Sequence, residues 1–411
     1  MTSVSAGGSR ESGADWVPLD FRQRLPSLDG VRGVAILAVF AYHYLGGLGR
    51  NTSSAGLHAL GCLTGLGWGG VDLFFVLSGF LITGILVDTK GYPGYYKTFY
   101  VRRVLRIFPI YYLFVLIFAT MALFWGFRLS WAHLSLLVYL GYPAALVWPS
   151  LVQGCPVAIT HLWSLSVEEQ FYMVWPFVIV GCNTPKRILR TCAALTIAAL
   201  GYRALIFMPG GLPDSWAYAS LPGRMDSLAF GAAAAVLIRG PLQRRLVQAA
   251  PILCVAAIIT LATICAARGT VTHSDPLMLT LGLTALGIGS TGLVILAASG
   301  GYVSSLLSVR ALRLVGKYSY GLYLYHFPLS ILLSPQRRYF VSATHSMIIG
   351  SILFTLVALG VNLMVAAASF RFIESPILSL KSKFGYRGSQ TSERDLQPEK
   401  AGLPDAARAE A

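Results

Sequence analysis

The apolar stretch VRGVAILAVFAYHY, residues 31–44, holds two ionisable side chains, Arg32 near its start and His43 near its end. A guanidinium fork suits phosphate oxygens, and an imidazole can take up or give back a proton near neutral pH. Eleven residues make about three helical turns, so on a helix the two groups share a face about 16 Å apart. Ionisable groups inside an apolar span are costly and mark functional sites by default. The plainer reading of His43 is a neutral ring satisfied by a neighbouring hydroxyl or carbonyl.

Similar groups recur along the chain. GWGGVDLFFVLSGFLITGIL places Asp72 at the outer end of a second apolar segment, with Ser78, Gly79 and Phe80 in its middle. Glycine there permits close helix approach; alternatively, Ser78 and open backbone line a channel. In FYVRRVLRIFPIYY, Arg103 and Arg106 share a face at the entrance to the third segment. They either anchor the helix against lipid phosphate or dock a polyphosphate ligand. HLWSLSVEEQFYMVWP groups His161, Glu168 and Glu169, and adjacent carboxylates inside an apolar helix must be paired or face water. PGRMDSLAFG adds Arg224 and Asp226, and SYGLYLYHFPLS sets His326 in mid-span. FRFIESP offers Arg371 and Glu374 at i,i+3, the spacing of an intrahelical ion pair.

The elements that carry these groups are membrane helices. Of 411 residues 55% are hydrophobic and 12% charged, about half the charged share of a soluble domain, and the mean hydropathy is +0.65. Apolar runs near 31–48, 69–88, 107–127, 131–148, 164–182, 188–207, 224–239, 247–266, 277–299, 318–334 and 345–370 are bilayer-spanning in length. The expected fold is therefore all-α and polytopic. The net charge of +15 lies at helix ends, as the positive-inside rule explains, so no nucleic-acid partner is expected. Basic clusters around Arg32, Arg103, Lys186, Arg239, Arg313 and Lys381 alternate consistently if both termini are cytoplasmic. Between Arg106 and Lys186 one segment must then fail to cross. The run 131–148, broken by Gly141-Tyr142-Pro143, is read as interfacial or re-entrant, leaving about ten transmembrane helices. Residues 1–24 and 379–411 read as disordered tails around a membrane domain at 25–378. No cleavable signal peptide is visible, so the first span acts as its own insertion signal. Six scattered cysteines predict no metal site. Cys62 and Cys155 both fall in outer loops, where a disulfide is chemically allowed.

Taken in order, PSLDGVRGVAILAVFAYH, VDLFFVLSGFLIT, FYVRRVLRIFPIYY, LWSLSVEEQFYMVWP, RMDSLAFG, YSYGLYLYHFP and RFIESP resemble the blocks of the acyltransferase 3 family over roughly residues 25–378. Its members are integral membrane O-acyltransferases that modify macrolides or bacterial envelope sugars. The resemblance implies an acyl-CoA donor, acetyl-CoA above all. It maps the family's arginine-then-histidine onto Arg32 and His43, its RxxR element onto Arg103 and Arg106, and its SGF onto Ser78, Gly79 and Phe80. Some members carry a further hydrolase-like domain, whereas this sequence closes on a charged tail, so the membrane domain is expected to complete the transfer alone.

Acyl transfer from a thioester to a hydroxyl needs a base, because a hydroxyl is a weak nucleophile at neutral pH. His43 is the expected base, with Glu169, Glu168 or Asp72 fixing its tautomer. Arg103, Arg106 and Arg32, with Ser78–Phe80, would hold the donor, while His161, Arg224, Asp226 and His326 would meet the acceptor. That acceptor is expected to be a macrolide or other small glycoside, with an envelope polysaccharide sugar as the alternative. A proton-coupled metabolite transporter would use intramembrane His, Glu and Arg equally well, although no internal repeat of the transporter kind is present. Homo-oligomerisation is left open.

Overall fold

The computed structural model describes residues 25–45, 48, 55–124, 161–208, 211, 214–269 and 271–385. The segment 131–148, Cys155 and with it the allowed bond to Cys62, and the tails 1–24 and 386–411 lie outside the described residues.

Among the described residues every regular element is helical, as expected. Ten longer helices coincide with ten of the eleven apolar segments: α1 (Pro26–Leu45), α2 (Gly70–Asp88), α3 (Tyr95–Phe124), α4 (Trp163–Gly181), α5 (Pro185–Ile206), α6 (Leu221–Leu237), α7 (Gln243–Arg268), α8 (Leu283–Ala298), α9 (Ser319–Leu333) and α10 (Met347–Ser369). Local chemistry sets several boundaries. Thr184 caps α5 by accepting from the Arg187 N–H at 3.3 Å, with Pro185 in the first turn, where its missing N–H costs nothing. Ser346 caps α10 through the Ile349 N–H in the same way. At the end of α7 the chain turns off through Gly269 at φ +63°.

Six helices are long and apolar enough to cross a bilayer by themselves. They cover α1, α2, α5, α7, α8 and α10, some with short flanking turns. Three of the other four depart for identifiable reasons. At 17 and 15 residues, α6 and α9 are short, and α4 carries Glu168, Glu169 and Gln170 in a row. These are helices that bring polar groups to the interior. The lipid-facing character is plainest on α7, where Ile252, Val255, Ile258 and Ile259 are all more than half exposed. Such residues gain from hydrocarbon what a soluble core would otherwise supply.

At the centre α2 lies against α1, α4, α6 and α8. Its closest contact is with α6. A Cβ at Gly79 would strike the Leu228 carbonyl, and one at Gly231 would strike the Val76 carbonyl. Gly79 is thus where two backbones touch, the packing reading of that motif. Phe80, 1% exposed, packs beside it. In the same manner α1 meets the short helix Arg310–Lys317, with Gly33 against the Leu312 carbonyl and Gly316 against that of Asp29.

The expected ion pair between Arg371 and Glu374 does not form. The chain widens to a π turn over Phe370–Glu374, and a wider turn takes i+3 off the shared face.

Gly79→Leu should abolish the folded, monodisperse protein in size-exclusion chromatography of detergent extracts, because neither backbone can yield. Gly360→Ala, a site with nothing within 4 Å, should elute as the parent does.

Candidate active site

Basic residues gather where α1 begins. A basin of about 590 Å³ is lined by Arg32, Arg102, Arg106, Arg239 and Lys317, with only Asp29 and Asp88 as carboxylates. Arg32 donates to Asp29 at 2.8 Å, and Arg239 grips Asp88 through Nε and Nη2 at 3.0 and 2.9 Å. Arg102 donates to the Phe384 carbonyl at 3.0 Å. Among the described residues Arg102, Arg103, Arg106 and Lys317 form no ion pair. Excess positive charge in a concave mouth is what a polyphosphate needs. Residues that the charge pattern assigns to one side of the membrane do converge at one end of the bundle.

A second cavity of about 260 Å³ continues inward, sharing Arg32 and Arg106 with the basin. Its walls are largely apolar, including Phe74, Phe75, Leu81 and Ile107. One polar track crosses them. Tyr172 donates to Ser78 Oγ at 2.9 Å, and Ser78 in turn donates to Glu168 Oε1 at 2.6 Å. The Arg103 guanidinium stands over the Tyr172 ring at 5.6 Å. At the inner end Ser164 Oγ meets the Tyr323 hydroxyl at 2.5 Å, and that hydroxyl donates to the His161 carbonyl at 2.8 Å.

Beyond Tyr323 three imidazoles cluster, supplied by α1, α9 and the turn preceding α4. His43 and His326 have ring centroids 4.9 Å apart, and His326 and His161 lie 5.2 Å apart. Phe327 packs against both His43 and His161, at 4.9 and 5.4 Å. His43 Nδ1 lies 3.0 Å from the Val39 carbonyl, and His326 Nδ1 lies 2.8 Å from that of Tyr323. A carbonyl only accepts, so each neutral ring carries its proton on Nδ1 and leaves Nε2 as a lone pair. His326 is fully buried and its Nε2 has no partner; neither ring nitrogen of His161 forms a well-directed hydrogen bond. Proline explains part of this arrangement. Pro328 inside α9 has no N–H for the Leu324 carbonyl, and the His161 ring faces that carbonyl and the one of Tyr323. His43 itself is only part-buried, the accessible member of the three.

The carboxylates expected to orient His43 are elsewhere. Its tautomer is fixed by a backbone carbonyl four residues back, the local partner a helix offers without a second buried charge. Asp72 accepts from Arg224 Nη2 at 2.8 Å and from Ser227 Oγ at 2.9 Å, and both members of that ion pair are fully buried. Arg224 is also ringed by Tyr218, Phe75 and Trp163 at 5.0 to 5.7 Å. Asp226 pairs with Arg203 at 2.7 Å, and Thr284 donates to the same carboxylate at 3.1 Å. Arg224 and Asp226, expected at the acceptor, are thus occupied by internal ion pairs. Glu168 belongs to the Ser78 track, and Glu169, 7% exposed, keeps Oε1 without a partner. Arg203 was not singled out from the sequence. The usable signal was an arginine within an apolar segment, which demands an opposite charge on a neighbouring helix.

The chain belongs to the acyltransferase 3 family: the family's model, described as an acyltransferase domain, matches residues 25–370. With its run of apolar helices, that makes it a multi-pass cell-membrane protein. It is 29% identical over 378 residues to the peptidoglycan O-acetyltransferase OatA of Listeria monocytogenes, covering 87% of this chain and 56% of that one. It is 30% identical over 380 residues to YrhL of Bacillus subtilis, covering 86% and 55%. Identity to the O-acetyltransferase OatA of Staphylococcus aureus is 26% over 380 residues, covering 86% and 57%. The chain therefore spans about half the length of the curated relatives it matches. No solved structure matches it.

Breaking one side of the Arg224–Asp72 pair leaves a buried charge uncompensated, at about 3–5 kcal/mol. Asp72→Asn should accordingly lower the thermal midpoint in detergent by many degrees. The double variant Asp72→Leu/Arg224→Met should recover much of that loss.

Proposed function

We propose that this chain is a membrane O-acetyltransferase that moves an acetyl group from acetyl-CoA to a hydroxyl of an envelope sugar. The observation that carries the reading is continuity: a basic mouth opens into a narrow, largely apolar cavity whose far wall, Tyr323, packs against His161 and His326 of the imidazole cluster. An acyl-CoA has the matching shape, with phosphates at one end, a thin flexible arm, and a thioester at its tip. The residues fit such a donor. Arg106 and Arg103 carry no carboxylate and are free to take phosphate oxygens, while Arg32 would have to share Asp29. The positive-inside rule would put this mouth, with its arginines, on the cytoplasmic side.

His43 is the proposed base, being the least buried imidazole of the three, with Nε2 unprotonated. As the acceptor oxygen attacks the thioester carbon, its proton passes to Nε2. The carbon–sulfur bond then breaks, and the proton goes on to the departing CoA sulfur, leaving an ester and a free thiol. His326 and His161, each with unsatisfied ring nitrogens, would receive hydroxyl protons of the acceptor and hold its sugar in place. The named substrate of the Listeria relative favours an envelope sugar over the macrolide otherwise expected, and an acetyl group over longer chains. An exporter remains the rival from another class, and the same experiment separates the two.

Membranes containing the chain are incubated with acetyl-CoA labelled in the acetyl group and with envelope glycan. Label should appear as base-labile ester on the glycan. His43→Ala, shown to be inserted and folded, should lower the rate about a hundredfold or more. Arg103→Ala and Arg106→Ala should raise the KM for acetyl-CoA about tenfold with a smaller change in kcat. Acceptor crossing the membrane without label, or full activity in His43→Ala, would overturn the proposal.

A further inference from the structure

The inner cavity contains a feature that neither the base nor the phosphate clamp uses. On α4 the residues Ser164, Glu168 and Tyr172 follow one another at helical spacing and all face the cavity. Ser78 on α2 completes the row by donating to Glu168 at 2.6 Å. The wall around this row is mostly phenylalanine, leucine and isoleucine, with Arg32, Arg103 and Arg106 toward the mouth and Ser319, Tyr320 and Tyr323 as its other polar members.

A carboxylate is an expensive group to keep in such a place. No arginine is bound to it directly: Glu168 forms no ion pair among the described residues, Arg103 turns to the Tyr172 ring, and Arg103 and Arg106 act on Glu168 only through space. Nor does it orient His43, whose Nδ1 is taken by Val39. Its internal partners are two hydroxyls, Ser78 at 2.6 Å and a weaker contact from Tyr172 at 3.4 Å. A carboxylate offers about four acceptor sites, so acceptor capacity is left over on a side chain that lines the cavity. What fits is a thin, mainly methylene ligand bearing N–H donors partway along its length. An acyl chain alone has none, and a phosphate has the wrong charge.

We infer that Glu168, braced by Ser78 and Tyr172, accepts a hydrogen bond from an amide N–H of the donor's pantetheine arm and so selects an amide-bearing thioester over a plain acyl chain. This rests on the acyl-CoA reading and adds to it a specificity-determining residue between the phosphate clamp and the base. The polar row then works as a register mark. It halts the arm at the depth where the thioester reaches the imidazoles.

The test compares the affinity of the detergent-purified full chain for CoA with that for adenosine 3′,5′-bisphosphate, which has the phosphate end but no arm. In the parent protein CoA should bind more tightly, and the ratio of the two affinities measures the arm. Glu168→Gln keeps the size and one acceptor but loses the charge. It should lower that ratio about tenfold and leave the bisphosphate affinity unchanged. Ser78→Ala, which loosens the brace, should lower the ratio less. A ratio unchanged in Glu168→Gln, or an equal loss for both ligands, would refute the role of Glu168 while leaving acyl-CoA as the donor. A parent protein that binds neither ligand would instead remove the acyl-CoA reading itself, and this inference with it.

Discussion

Where α2 meets α6, two glycines allow backbone to touch backbone, and much of the site depends on that contact. The two helices run parallel, linked at three levels: Asp72 to Arg224 at one end, Gly79 and Gly231 in the middle, and Asp88 to Arg239 at the other. The ion pairs are about one helix length apart, so neither helix can slide or rotate without breaking one. Ser78, the neighbour of Gly79, is thereby aimed away from α6 and toward Glu168 on α4. A buried ion pair is weak evidence of stability, since desolvation offsets much of its attraction. Its value here is registration.

The site is consequently stretched rather than compact. Cations sit at one end and imidazoles at the other, and a narrow, largely apolar passage runs from the first as far as Tyr323, which packs against the second. Helix α1 contributes to both ends through Arg32 and His43, and its rigidity fixes their separation. The ring cluster is built differently from the mouth. Among the described residues it has no carboxylate and relies on the Val39 and Tyr323 carbonyls to leave Nε2 of His43 and His326 bare. In hydrocarbon such local satisfaction costs less than burying another charge.

Much of this was legible in the sequence. Hydropathy gave the helices because lipid imposes a simple length rule, and ten of the eleven apolar segments are helices. Charge bias gathered the arginines correctly at one end of the bundle. The role of each polar residue was harder to read, for a physical reason. A helix has several faces, and spacing along one helix does not say which neighbour a face meets. Glu169, ahead of Glu168, or else Asp72, is the partner that the sequence suggests for His43, whereas packing assigns Asp72 to Arg224 and Glu168 to Ser78. Arg203 was overlooked for the same reason, its partner Asp226 lying on another helix. The meeting of His161 and His326 with His43 depends on three-dimensional crossing that periodicity does not encode.

The carbonyl behind His43 has a consequence for timing. A carboxylate there would let the ring hold a proton between steps, as a counter-ion stabilises a cation. A carbonyl offers only a dipole, and the rings that surround His43 are themselves neutral. A protonated His43 would be a lone cation deep in a low-dielectric site. In the proposed reaction the site would therefore have nowhere to store a proton, and what the ring takes from one partner it would pass on at once to the next.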